Sequence, residues 1–280
     1  MIQSTFCHIA GCGANTERKL WAAGLHSWET VLAGTALPVA GLKAAMLREQ
    51  ITISTAQLAT GDPGHFYAAL PAAEHWRLFR EFSQSVAYFD IETTGLGGPG
   101  DHVTTIAVYD GQSIKHYVHG QNLHEFAADI ARYRLLVSYN GKTFDAPFIR
   151  QSLGVSLDQA HIDLRYVLAS LGFKGGLKSC ERQLGLDRQE LADVDGFFAV
   201  LLWQDYRRGN PRALETLLAY NITDVVNLAT LMVRTYNLKL RATPFAGTHT
   251  LAEPVLPAIP FQADAATIQR LRRAQSWGSW

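Results

Sequence analysis

The sequence predicts an α/β domain that follows a small, all-helical segment. Short apolar runs bounded by turn residues, which are typical of strands, occur at five places between residues 86 and 164. A long helical pattern over residues 211–236 carries an apolar stripe. We therefore expect a helical segment over 1–83, an α/β domain over 84–240 and an irregular tail over 241–280. Further helices are predicted over 42–58, 72–82, 122–133, 177–184, 195–208 and 265–273.

Composition and charge limit the classes of protein that this sequence can represent. The chain has 280 residues, 48% of them hydrophobic, which is enough for a sizeable core. No apolar run approaches the roughly 20 residues that span a bilayer, and the N-terminus does not resemble a signal peptide, so no membrane association is expected. Cys7, Cys12 and Cys180 lack metal-ligand spacing and fit reduced thiols of a cytoplasmic protein. Because the formal net charge is zero, contact with nucleic acid requires local basic clusters or metal ions.

Two carboxylates end the first predicted strand of the α/β domain. The apolar run Val86–Phe89 predicts a buried strand, and Asp90 and Glu92 follow it. Side chains two residues apart in a strand project from the same face, so these carboxylates lie side by side. Left unpaired, they would cost on the order of several kcal/mol or have raised pKa values, and a divalent cation removes that cost. This stretch therefore predicts half of a metal site.

Two further acidic residues lie where that site could be completed. Asp145 is expected in the first turn of a helix, after the strand predicted at 135–139, and ligands collect at the carboxyl ends of such strands. A helix N-terminal aspartate is explained equally well by the helix dipole. Asp224 falls in the apolar stretch 222–228 and needs a partner or a metal, with Tyr220 one turn earlier on the same helix face.

Other polar residues near the predicted strands have a structural and a functional interpretation. His116 and His119 lie on or just after a strand that a hairpin turn introduces, and we expect both to be structural or solvent-facing. Asp163 either caps the following helix or adds a fifth carboxylate near the site. Lys174 and Lys178 belong to a modest basic cluster, which is a solvated face by default and a contact for substrate phosphates in the alternative.

A glycine-containing turn near the N-terminus precedes two short predicted helices. Asn15 or Thr16 is expected to cap the first helix and Ser27 the second. The stretch around Gly11 and Gly13 resembles a helix-hairpin-helix motif, in which a Gly-x-Gly turn lets backbone amides approach a DNA phosphate at a helix N-terminus. The alternative is a pair of packed helices whose glycines merely allow a tight turn.

The four acids and the tyrosine occur in three motifs, in a particular order along the chain. These are Phe89-Asp-Ile-Glu-Thr-Thr-Gly-Leu96, Asn140-Gly-Lys-Thr-Phe-Asp145 and Tyr220-Asn-Ile-Thr-Asp224. The pattern resembles the DEDD superfamily of 3′-5′ exonucleases, in the DEDDy branch that has a tyrosine in the third motif. The second motif has a spacing similar to that of family-B polymerase proofreading domains. Over residues 85–237 the chain looks like the stand-alone bacterial ribonuclease H-like proteins that are predicted to be exonucleases.

The resemblance implies an RNase H-like fold, a five-stranded mixed sheet with flanking helices, which agrees with the order of strands and helices derived above. It also implies two divalent metal ions, Mg²⁺ or Mn²⁺, which prefer oxygen ligands. By analogy, Asp90 bridges both metals, Glu92 and Asp224 complete one site and Asp145 supports the other. Tyr220 would orient the attacking water, since a tyrosine with its ordinary pKa of about 10 is a poor base near pH 7.

The predicted function is that of a divalent-metal-dependent 3′-5′ exonuclease that hydrolyses phosphodiester bonds of single-stranded nucleic acid, with DNA favoured over RNA. Two alternatives stay open: a nucleic-acid-binding module with an inactive exonuclease fold, and a structure-specific endonuclease. No protein partner is predicted. The residues expected to contact substrate are Thr93, Asn140, Phe144, Gly11, Gly13, Lys174 and Lys178.

Overall fold

A computed structural model of the protein describes residues 1–34, 43–186 and 196–277, and a five-stranded sheet lies at its centre. The strand order is β3-β2-β1-β4-β5. The antiparallel pairs β1–β2 and β2–β3 and the parallel pairs β1–β4 and β4–β5 make the sheet mixed, as predicted. The strands are β1 (Val86–Thr93), β2 (Val103–Tyr109), β3 (Ile114–Val118), β4 (Leu135–Ser138) and β5 (Ala160–Asp163).

Alternate residues of β1 pack on opposite faces of the sheet, as the two-residue period of a strand requires. Ala87, Phe89 and Ile91 belong to a hydrophobic cluster on one face, whereas Val86 and Tyr88 belong to the cluster on the other face. Positions 90 and 92 follow Val86 and Tyr88 in this two-residue period, so their side chains lie on the same face as those two residues. The pleat of β1 thus directs both carboxylates of the first motif to one side of the sheet.

Helices cover both faces of the sheet, and the longest of them packs on the side of the two carboxylates. It begins at Pro211, where the Asn210 side chain accepts a hydrogen bond from the Arg212 amide at 3.2 Å. By length and composition alone this helix could cross a membrane, but 94% of its apolar window is buried inside the fold. The helices of this region are α6 (Phe126–Ile130), α7 (Asp145–Leu153), α8 (Leu164–Ser170), α9 (Leu177–Gln183), α10 (Gly196–Arg207), α11 (Pro211–Leu240) and α12 (Ala265–Trp277).

The N-terminal segment is helical, as predicted, and shares a hydrophobic cluster with α11. Ser27 caps the second helix, and its hydroxyl accepts a hydrogen bond from the Thr30 amide. The α-helices of the segment are α1 (Ala14–Ala22), α2 (Trp28–Leu32), α3 (Ala44–Ala59), α4 (Gly64–Ala69) and α5 (Phe79–Phe82), and 3₁₀ turns lie at Ile2–Ser4, Ala72–Leu78 and Ser83–Ser85.

The first helix begins earlier than predicted. Gly13 occupies the N-cap position in an extended conformation, so Asn15 and Thr16 lie inside α1 and do not cap it. The turn containing Gly11 and Gly13 precedes α1, and a separate turn at 23–27 joins α1 to α2. The phosphate-binding role of the two glycines therefore stays a prediction.

Two predicted helices were wrong in form. The region 72–82 is a 3₁₀ turn followed by the short α5, since four consecutive side chains at 75–78 are buried, which one face of an α-helix does not allow. The region 122–133 contains a 3₁₀ turn and only the short α6, because the Asn122 side chain hydrogen bonds to the backbone of β3 and does not cap a helix. Helix α4, which begins at Gly64, is not among the helices that the sequence predicts. The predicted starts at residues 42 and 195 lie outside the described residues.

A buried ion pair connects α1 to the 3₁₀ turn at Ala72–Leu78. Arg77 donates to both carboxylate oxygens of Glu17, at 3.0 and 2.8 Å, and Glu17 also accepts from the amides of Phe6 and Cys7. Both side chains are almost fully buried. Neither charge is therefore solvated by water; Arg77 also pairs with Glu74 at 2.7 Å, whereas Glu17 depends on Arg77 for its counter-charge.

We expect Arg77→Met to lower the free energy of unfolding by about 3–5 kcal/mol, because it leaves the Glu17 carboxylate buried without its counter-charge. The measurement is urea denaturation at pH 7. The control is Arg132→Met, whose guanidinium pairs with Asp129 but is 70% exposed and should matter little. Equal denaturation midpoints for the two variants would contradict the assigned role of the pair.

Candidate metal centre

Three carboxylates from distant parts of the chain converge at the carboxyl end of β1. Asp90 and Glu92 project from β1 toward α11, and Asp224 projects from α11 toward β1. Each offers one oxygen, and these oxygens all lie within 4.8 Å of one another. They line a cavity of about 460 Å³, here called the acidic cleft, which Asp145 and Tyr220 also line. The structure thus brings the four predicted metal ligands and Tyr220 to one cleft.

Asp145 occupies the acidic cleft in a different way from the other three acids. It begins α7, and its carboxylate accepts a hydrogen bond from the Ile91 amide of β1 at 3.2 Å. Its oxygens are not among the three that lie within 4.8 Å of one another. Asp145 therefore stands apart from the set of three, and its supporting role at a second metal stays a prediction.

The electrostatics of the acidic cleft disfavour its negative charges. Burial raises the pKa of Asp90 well above its usual range, and the charges of Asp145, Asp224 and Glu92 add to the effect. Burial also raises the pKa of Asp145 to about 7, against the opposing effect of its backbone hydrogen bonds. A cluster of buried oxygen donors with excess negative charge is the environment that a hard divalent cation satisfies. The residues present therefore fit such an ion.

Asn221 holds Asp90 in place, and the sequence interpretation did not include it. Its amide nitrogen donates to the Asp90 carboxylate at 2.9 Å and to the Asp90 main-chain oxygen at 3.3 Å. Its amide oxygen accepts from the Thr105 hydroxyl of β2 at 3.2 Å. A fully buried asparagine needs such partners. The only sign of this role in the sequence is the position of Asn221 between Tyr220 and the apolar stretch 222–228.

The two predicted lysines have different places around the acidic cleft. The Lys178 ammonium lies 5.0 Å from the centroid of the Tyr220 ring, within the range of a cation–π contact. Lys174 lines an adjoining cavity of about 600 Å³, together with Asn140 and Arg165. Lys178 is thus next to the predicted site, whereas Lys174 is in a neighbouring space that Asn140 shares with the cleft.

The loop of the second motif has an unusual backbone at Asn140. Its φ of 67° is left-handed, which asparagine tolerates better than most residues. The Asn140 side chain accepts hydrogen bonds from Arg165 and Thr143. Asp163 accepts from the Asn140 and Lys142 amides at 2.8 and 3.1 Å and caps α8. Asp163 therefore has the structural role, and it fixes the loop that leads to Asp145.

Apolar and hydroxyl side chains complete the lining of the acidic cleft. The Thr93 hydroxyl donates to the Gly95 carbonyl at 2.6 Å, and Phe144 packs against Phe148. Leu96 and Phe197 are 92% and 59% exposed although both are large and apolar. Both line the cleft, and the sequence interpretation missed both as candidate contacts.

Two other sets of predicted residues lie away from the cleft lining. Gly11 and Gly13 are exposed and do not line the acidic cleft, although Gly11 has the left-handed backbone of a tight turn, with a φ of 79°. His116 packs edge-on against Phe261, in agreement with a structural role. His119 instead lies beside His102, with ring centroids 4.4 Å apart.

Comparison with protein families gives a match to the RNase H superfamily over residues 87–236. The chain belongs to this superfamily. The matched region of this RNase H superfamily protein contains β1 to β5, the acidic cleft and most of α11. Nucleases with this fold usually use divalent metals, and the acidic cluster provides oxygen donors for them. Among curated proteins, none matches the chain significantly.

Similar solved structures include a family B DNA polymerase from the hyperthermophilic archaeon Pyrobaculum calidifontis, with 21% sequence identity and a TM-score of 0.44. The match covers 56% of this chain and 24% of the polymerase, so this RNase H superfamily chain spans about a quarter of that protein. Another is described as the apo form of a nuclease, with 19% identity and a TM-score of 0.40, over 61% of this chain and 78% of that one.

We expect Mn²⁺ to raise the melting temperature more at pH 8 than at pH 5.5. Since the fold raises the pKa values of Asp90 and Asp145, the metal-free protein loses stability as the pH rises from the ordinary carboxyl pKa of about 4 to the raised pKa of Asp145, about 7, and a cation restores it. Below that range protons compete with the metal for the carboxylates. The measurement is thermal unfolding with and without Mn²⁺ at each pH.

The control for the Mn²⁺ experiment compares two neutral replacements. Asp90→Asn should remove most of the stabilisation by Mn²⁺, whereas Asp158→Asn, at an exposed position outside the cleft lining, should keep it. If both variants respond to Mn²⁺ as the unchanged protein does, the acidic cleft is not the site of the ion.

Proposed function

We propose that this protein is a divalent-metal-dependent 3′-5′ exonuclease of the DEDDy type that acts on single-stranded nucleic acid, DNA in preference to RNA. The observation that carries the proposal is the convergence of the Asp90, Glu92 and Asp224 oxygens within 4.8 Å. Asp145 and Tyr220 line the same cleft, so the three motifs meet in one place. Four carboxylates and a tyrosine are residue types that suit metal-dependent hydrolysis of a phosphodiester bond.

Asp90, Glu92 and Asp224 would hold the metal, with Asp145 in support. When bound, two ions of Mg²⁺ or Mn²⁺ supply a nucleophile at neutral pH and stabilise charge on the departing oxygen. Asn221 keeps the Asp90 carboxylate in position through two hydrogen bonds from its amide group. The chain would therefore hold the Asp90 carboxylate in place before any ion or substrate arrives, which lowers the reorganisation needed during the reaction.

Tyr220 has the role of orienting the attacking water through its hydroxyl group. The side chain is almost fully buried, so its ring is fixed, and it lines the acidic cleft. Lys178 does not itself line the cleft, but its ammonium lies beside the ring of Tyr220, from where its positive charge would attract a phosphate bound at the carboxylates. We assign Tyr220 to positioning, and Lys178 to attraction of the scissile phosphate.

Substrate contacts come from the walls and the mouth of the acidic cleft. Thr93 and Phe144 lie in the wall, and Asn140 connects the cleft to the cavity of Lys174. Leu96 and Phe197 present apolar surface at the mouth, where unstacked bases can pack. In a single strand the bases are unpaired and can pack on these two side chains, which supports the proposed preference for single-stranded nucleic acid.

The glycine turn at Gly11 and Gly13 is a separate candidate for binding phosphate. Both glycines are exposed, and a side chain at either position would meet no described atom within 4 Å. Backbone amides at the start of α1 could therefore be approached closely. This contact would lie outside the acidic cleft, so it would affect binding of a long strand more than hydrolysis itself.

An end-labelled single DNA strand in Mg²⁺ should shorten stepwise from its 3′ end, and a closed single-stranded circle should stay intact. EDTA should stop the reaction, because it removes the divalent ions that the carboxylates would otherwise hold. Cutting of the circle would instead identify a structure-specific endonuclease. Tight binding without cleavage would identify a binding module with an inactive fold. An RNA strand of the same sequence tests the preference for DNA.

Asp90→Asn and Asp224→Asn should each lower kcat by about 10³-fold or more, because each removes a charged ligand from the cleft. Tyr220→Phe should lower kcat by about 10–100-fold and keep the thermal stabilisation by Mn²⁺, because it removes only the hydroxyl. Initial rates on the end-labelled strand measure these effects, with Asp158→Asn as the matched control. Normal activity of Tyr220→Phe would show that this tyrosine has only a packing role.

A further inference from the structure

A second cavity, of about 540 Å³, adjoins the acidic cleft. Thr94, the residue after β1, lines both the acidic cleft and this second cavity. The two cavities therefore meet at the same edge of the sheet. We call this second space the basic cavity and define it by Thr94, His102, His119, Trp203, Arg207 and Arg208.

The sheet itself brings the two histidines of the basic cavity together. His102 precedes β2 and His119 follows β3, and the antiparallel register pairs Thr105 with Val118. Their rings therefore meet, with centroids 4.4 Å apart and planes inclined by 39°. The His102 amide also donates to the Thr94 hydroxyl at 3.0 Å, which ties the basic cavity to the turn after β1.

Two arginines provide the charge of the basic cavity. Arg207 ends α10 and Arg208 follows it, and both are exposed. Within the described residues, neither guanidinium forms a hydrogen bond or an ion pair. In contrast, Arg165 of the cavity on the other side of the acidic cleft already donates to Asn140. Arg207 and Arg208 are thus available to an external anion.

The acidic residues near the basic cavity are already engaged by other groups. Asp205, on the same helix as Arg207, accepts hydrogen bonds from Arg270 and Asn210. Asp101, beside His102, accepts from the amides at positions 97 and 98 and from the Thr94 hydroxyl. Neither acid lines the basic cavity. The arginines therefore keep their attraction for an anion that enters it.

We propose that the basic cavity binds backbone phosphates of the nucleic-acid strand whose reacting end occupies the acidic cleft. The proposal rests on the proposed function. A strand that leaves the cleft past Thr94 meets Arg207 and Arg208 next, and guanidinium groups match phosphate oxygens in a bidentate way. The half-buried histidine pair gives the cavity an aromatic wall, along which a sugar or base can lie, and the buried Trp203 packs edge-on against His119. Because the protein has no net charge, such a local cluster must supply the attraction.

The test is a pair of charge-matched double variants, Arg207→Gln/Arg208→Gln and Arg132→Gln/Arg241→Gln. The control arginines lie beyond α6 and at the end of α11, outside the lining of both cavities. Binding of a fluorescent single DNA strand is measured in EDTA over a series of salt concentrations, so no cleavage occurs. All four residues are exposed, so both variants should keep the melting temperature of the unchanged protein.

The basic-cavity variant should bind the strand about tenfold more weakly at moderate salt than the control variant. Its plot of log affinity against log salt should be shallower by about 0.7 for each phosphate that an arginine no longer neutralises, hence by about 1.4 for two phosphates. Equal affinities and equal slopes for the two variants would overturn the proposal.

Two further experiments distinguish binding of a strand from binding of a free nucleotide, and the present proposal from the exonuclease proposal. A mononucleotide is titrated in EDTA, and its binding should be weak and similar in both variants; an equal loss for mononucleotide and strand would overturn the proposal in favour of a pocket for free nucleotides. Cleavage by the unchanged protein in Mn²⁺ is assayed separately. If it fails while Arg207→Gln/Arg208→Gln still weakens strand binding, the exonuclease proposal falls and the strand-binding role of the basic cavity is supported.

Discussion

The packing of α11 against one face of β1 is the contact on which the rest of this structure depends. Each element carries acidic residues on the side that faces the other, and an apolar residue at any of these positions would have been the ordinary choice for a core. Because α11 is 30 residues long and buried for most of its length, its axis is held by many contacts on both sides of the site. The position of Asp224 relative to Asp90 and Glu92 is therefore set by the core itself and not by a loop.

This arrangement costs stability in the metal-free protein. Buried carboxylates that repel one another are destabilising, and the surrounding structure offsets only part of the effect. Asn221 donates to Asp90, and the Ile91 amide donates to Asp145. Even with these donors, the pKa values of Asp90 and Asp145 stay above their usual range, and a bound cation would offset the remaining repulsion. Sites of this kind trade folding free energy for function.

The sequence predicted most of what depends on local patterns. The strands and the hairpin between β2 and β3 follow from apolar runs and turn residues, the resemblance implied the mixed sheet, and the order of the acids indicated a common site. It did not predict contacts between residues far apart in the chain, such as that of Lys178 with Tyr220 or of His102 with His119. Register and helix packing decide these contacts, and a single sequence does not encode either in a local pattern. The 3₁₀ turn at 72–78 was missed for the same reason, since burial against other elements overrides helical propensity.

The hydrophobic cluster that α11 shares with the N-terminal segment has a consequence for how the chain can be divided. Trp76 and Phe79 from that segment contact Tyr236 near the end of α11, and Phe79 also contacts Tyr88 of β1. An excised fragment starting at residue 84 would present this apolar surface to water and would tend to aggregate. We therefore expect the residues on the two sides of position 83 to unfold together.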